Sequence, residues 1–106
     1  IILFNSSLFS EEYVCSTNLT DFGRDGIEIG TYERIGTKFI MTTHDGTEYR
    51  LDILKETSSY IVLVLLDLDK VIFLSMIDKE NNIVRDEFFK IGDNKSYTTF
   101  SQCMVK

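Results

Sequence analysis

One histidine and two cysteines leave this 106-residue chain few options for acid–base or nucleophilic chemistry. His44 stands in His44-Asp45-Gly46, a strong hairpin-turn signal because Asp-Gly adopts positive φ at little cost. A general base there would need a nucleophile and an orienting group, and no spacing supplies either. It reads as a turn residue. Cys15 has no basic neighbour in sequence to lower its pKa, so thiol nucleophilicity is unsupported as well. The chain contains no Gly-x-Ser-x-Gly, no phosphate-binding Gly loop and no His-Glu-x-x-His.

Carboxylates recur two apart at Asp67/Asp69 and at Asp78/Glu80, the latter followed by Asn82. The second set echoes the first half of a calcium loop, but Ile83 stands where that loop needs Gly and Phe89 where it needs a bidentate Glu. Both pairs read as solvated hairpin turns. No catalytic residue, metal site or cofactor is therefore expected.

Cys15 and Cys103 lie near opposite ends of the chain. Terminal strands of a closed sheet lie side by side, so a Cys15–Cys103 disulfide is expected, with two buried free thiols as the alternative. The disulfide would imply an oxidising compartment, periplasmic or secreted. Residues 1–10, Ile1-Ile2-Leu3-Phe4 and then mostly small polar residues to Ser10, read either as a residual signal-peptide tail or as a first strand.

The elements behind these residues follow a period of two. Tyr13 and Cys15 share one face of a strand, and Ile27 to Ile35 alternates again, with Gly30 a bulge or close-packing point. Phe39 and Met41 share a face. Tyr49, Leu51 and Ile53 oppose Glu48, Arg50 and Asp52. Tyr60 to Leu66, Val71 to Ile77, Ile83 to Ile91 and Tyr97 to Val105 complete the series, separated by short polar turns. The fold expected is all-β: one domain over residues 1–106, a small antiparallel meander of seven or eight strands closed or nearly closed into a barrel. It would be lipocalin-like in outline with a filled interior, because each strand plus turn has only about 13 residues, near the size at which side chains fill a barrel. Phe22, Phe39, Phe73, Phe88, Phe89 and Phe100 are expected to fill it.

The hairpin from Tyr60 to Ile77 is apolar on both faces, so whichever face turns outward needs cover. Either Ile1 to Phe4 or a short helix covers it, or Ile61, Leu63, Leu65, Ile72 and Leu74 form a self-association or partner surface, a homodimer included.

Lys+Arg 11 against Asp+Glu 17 gives a net charge of -6, with the basic residues scattered singly. That balance excludes nucleic acid as a partner and favours encounter with a cationic protein. No apolar run approaches the roughly 20 residues of a membrane span. In outline, with Tyr13-Val14-Cys15 on its first strand and Cys103 near its end, the chain resembles the small periplasmic inhibitors of lysozyme, although their Ser-Gly loop is missing. The resemblance implies a non-catalytic binding protein, an inhibitor or immunity-type antagonist acting through surface loops. The alternatives are a lipocalin-like carrier of a small apolar ligand and a structural subunit of an envelope assembly. Pocket volume separates carrier from antagonist, since a filled interior excludes the first and a sizeable cavity restores it.

Overall fold

A computed structural model describes residues 11–18, 26–66, 69–92 and 96–106. Alternation becomes eight strands there: β1 (Glu12–Asn18), β2 (Ile27–Ile35), β3 (Lys38–Thr42), β4 (Glu48–Glu56), β5 (Tyr60–Leu65), β6 (Val71–Asp78), β7 (Ile83–Lys90) and β8 (Ser96–Val105). Each pairs antiparallel with the next, and β8 returns to β1 to close the barrel. Closure gives every strand two neighbours and removes the unpaired edges a flat meander would expose. Residues 1–10, Phe22 and most of the turn expected over Asp21 to Gly26 lie outside the described residues, as does Asp67.

The turns are fixed by short side chains. Gly46 takes a φ of 88° after Asp45, whose carboxylate accepts the Thr43 hydroxyl and, at 3.1 Å, the Thr47 amide. Asp78 accepts the amides of Glu80 at 3.0 Å and Asn81 at 3.1 Å, and the Asn81 side chain at 2.8 Å. The calcium-like spacing is thus a carboxylate capping its own turn.

The inward phase alternates as expected: Tyr13, Cys15 and Thr17 on β1, Gly30 and Tyr32 on β2, Phe39 and Met41 on β3, Tyr49, Leu51 and Ile53 on β4. Cys15 and Cys103 stand opposite each other on β1 and β8, and their sulfurs are bonded. The ladders place no bulge at Gly30. It is a close-packing point, where a Cβ would lie 3.1 Å from the Thr42 carbonyl oxygen. The bulge falls between Ile53 and Lys55 instead, and leaves Leu54 exposed.

Two expectations change here. On β5, Ile61, Leu63 and Leu65 turn inward and are at most 4% exposed, so they belong to the core and not to a surface. The other phase holds Val62, Val64 and Leu66, with Met76 and Leu74 facing Val62 and Val64 across β6, and of these Val64 is itself buried. The register decides this: Ile61 pairs with Ile77 and Leu63 with Ser75, which puts both on the core phase of β6. Phe100 is likewise an outward residue, 58% exposed, with the Arg85 guanidinium 5.7 Å from its ring centre.

Candidate functional site

Inward positions differ in size along the barrel axis, and the site follows from that difference. Toward the end formed by the β2–β3, β4–β5 and β6–β7 turns, the interior holds Phe39, Leu51, Ile61, Leu63, Ile77 and Val84, all fully buried. Toward the opposite end it holds Thr17, Gly30, Ser75, Thr99 and Ser101. The expected filling therefore holds for one half. The other half is a cavity of about 410 Å³, which the described residues leave open at the mouth.

The filled end is also sealed by charge. Arg34 reaches the Glu11 carboxylate at 3.0 Å and that of Glu56 at 2.5 Å, while its guanidinium lies 5.0 Å from the centre of the Phe39 ring. Lys79 adds a second cation on Glu56 at 3.0 Å. Burial raises the Glu56 carboxyl, but the hydrogen bonds from Arg34 and Lys79 outweigh it and hold the group below its ordinary value. The Tyr13 hydroxyl donates to Glu11, and burial followed by that carboxylate pushes the phenol well above its usual range. This end is a plug.

The cavity is different in chemistry. Its floor is a hydrogen-bonded cluster centred on Asp86, which β7 points into the lumen between Val84 and Phe88. Ser75, its direct neighbour on β6, donates to Asp86 Oδ1 at 2.7 Å. Tyr32 reaches across the lumen from β2 and donates to the same oxygen at 2.7 Å. Thr99, opposite on β8, contributes a third hydroxyl. Burial raises the Asp86 carboxyl above its ordinary value, and the three hydroxyls only partly offset that. The Tyr32 phenol is raised too, by burial first and then by the Asp86 charge.

Above the floor the walls are Met41, Tyr49 and Phe73, with Thr17 and Ser101 hydrogen-bonded to each other at 2.6 Å. The rim carries His44, whose Nδ1 is 3.2 Å from the Glu28 carboxylate, and Asp45, whose carboxyl the Thr43 and Thr47 hydrogen bonds pull down to about 2. His44 is thus an exposed turn residue, as its sequence context implied, and it also edges the cavity. The described lining contains neither Lys nor Arg.

Asp86, Ser75 and Tyr32 went unremarked in the sequence. A signal for two of them existed: Ser75 and Asp86 are polar residues on the core phase of otherwise apolar strands. A buried polar group needs partners, so such a residue marks a built cluster. Among the described residues, no buried side-chain polar atom lacks one.

A second concavity lies outside the barrel, over β5 to β8, where Tyr60, Val62, Met76, Ile83, Arg85 and Phe100 surround about 660 Å³. Among the described residues no group of His, Cys, Asp and Glu is placed to hold a metal ion, and no helix is long and apolar enough to cross a membrane. Comparison of the chain with protein-family models, with curated protein sequences and with solved structures yields no match.

Proposed function

We propose that this protein is a non-catalytic small-molecule binder that holds its ligand in the open half of the barrel. The observation that carries this reading is the cavity of about 410 Å³, plugged at one end and left open at the other by the described residues. Its size falls within the roughly 300–1,000 Å³ typical of ligand sites, and its lining has their usual make-up, aromatic and apolar walls with a few convergent polar groups. The carrier reading, second in order on sequence grounds, thereby moves ahead of the surface-loop antagonist. The antagonist reading rests on net charge and outline alone. The Cys15–Cys103 bond supports a periplasmic or secreted setting, where a binding protein would meet its ligand outside the reducing cytosol.

Titration with the neutral fluorescent probe N-phenyl-1-naphthylamine tests the reading. Saturable one-to-one binding is expected, and Met41→Trp, which fills the cavity from its wall, should abolish it while leaving the far-ultraviolet circular dichroism unchanged. Failure of the wild-type protein to bind the probe would overturn the proposal.

A further inference from the structure

The lumen holds one buried carboxylate, and its surroundings name a ligand. Asp86 is a carboxylate in the lumen whose partners, Tyr32, Ser75 and Thr99, are all neutral hydroxyls. A carboxylate offers about four acceptor positions, so three hydroxyl donors leave room for one more. Among the described lining residues there is no Lys or Arg.

We propose that the cup takes a small organic cation, an ammonium group carried on an aromatic or short apolar body, with Asp86 as its counter-ion. This rests on the small-molecule reading above and specifies its ligand. Two considerations disfavour the other charge classes, and a third favours the cation. An anion would meet Asp86 in a poorly solvated space, with no Lys or Arg among the described lining residues to offset the repulsion. A neutral ligand can fill the cup but leaves the carboxylate's charge uncompensated, so it should bind more weakly than a cation of the same shape. An ammonium supplies both the missing charge and the missing hydrogen-bond donor. The walls agree, since the rings of Tyr32, Tyr49 and Phe73 offer π faces that attract cations, and Met41 adds a polarisable sulfur. A chain with a net charge of -6 also draws cations toward its mouth.

An isosteric trio of probes decides the matter by titration calorimetry: phenethylammonium, 2-phenylethanol and 3-phenylpropionate. Phenethylammonium should bind about tenfold or more tighter than the alcohol, as a charge-assisted hydrogen bond in a shielded site requires, and the carboxylate should not bind. Asp86→Asn should bring amine and alcohol within about threefold of each other. Equal affinities for the three probes in the wild-type protein would overturn the cation proposal and leave the cup standing, provided that the neutral probe binds. Loss of the neutral probe as well would remove both readings. The wild-type ranking is decisive even if Asp86→Asn does not fold, and Tyr32→Phe, which keeps the carboxylate and deletes one of its donors, should preserve the preference for the amine.

Discussion

At the scale of single residues, two carboxylates with opposite shifts make opposite contributions to stability. Asp86 titrates above its ordinary value because burial disfavours the charged form. Folding is therefore favoured while Asp86 is protonated and loses ground as pH rises through its folded pKa. The unfolding free energy of Asp86→Asn, minus that of the wild type, should grow between about pH 4 and pH 7, and a flat or falling difference in urea titrations would contradict the assignment. Glu56 runs the other way. Arg34 and Lys79 hold it below its ordinary value, so its contribution is present at neutral pH and is lost as pH falls through its folded pKa. Arg34→Met leaves Glu11 without its cation, Glu56 with Lys79 alone and Phe39 without its capping guanidinium. The cost should be about 1–3 kcal/mol at pH 7 and should shrink below about pH 4, read from urea midpoints at the two pH values.

At the scale of elements, the strands were legible because a sheet with one buried face writes its period into the sequence. Tyr49, Leu51 and Ile53 announced β4, and Asp45-Gly46 announced the turn before it. The hairpin of β5 and β6 was ambiguous for the same reason. With Val62 and Val64 as apolar as Ile61 and Leu63, period two does not say which set faces in, and only pairing to Ser75 and Ile77 settles it. The bulge after Ile53 had no sequence mark, since neither Gly nor Pro sits there. The cup was hidden by a count of residues per strand, which estimates barrel width but not how side-chain volume is shared between the two ends. Small residues at Gly30, Thr99 and Ser101 line the cavity, and which strand positions meet there depends on a stagger that sequence does not display. The orientation of β5 is open to direct measurement. Leu63→Ala removes a fully buried side chain and should cost about 2–5 kcal/mol, whereas Leu74→Ala, on the outer face of β6, should cost clearly less. Equal losses would mean that the hairpin sits with its faces exchanged.

For the molecule as a whole, one covalent bond ties the last strand to the first across 88 residues of sequence. In the chain-entropy model a loop of that length is worth about 4–5 kcal/mol, a large part of the roughly 5–15 kcal/mol that holds a domain of this size together. The barrel has special need of it, because its mouth half surrounds a cavity and gains less from packing than the plugged half. Cys15 itself lines the cavity, so the bond that closes the sheet also fixes one wall of the cup. Stability and binding should therefore fail together on reduction. Native protein should show no thiol toward Ellman's reagent, in keeping with both cysteines being bonded. Cys15→Ser with Cys103→Ser should lower the thermal midpoint by about 10–30 °C, and at a temperature where the variant remains folded it should bind N-phenyl-1-naphthylamine more weakly than the oxidised protein. A variant that melts like the wild type would show that hydrogen bonding between β1 and β8 suffices to close the barrel, and the link from redox state to the cup would be cut.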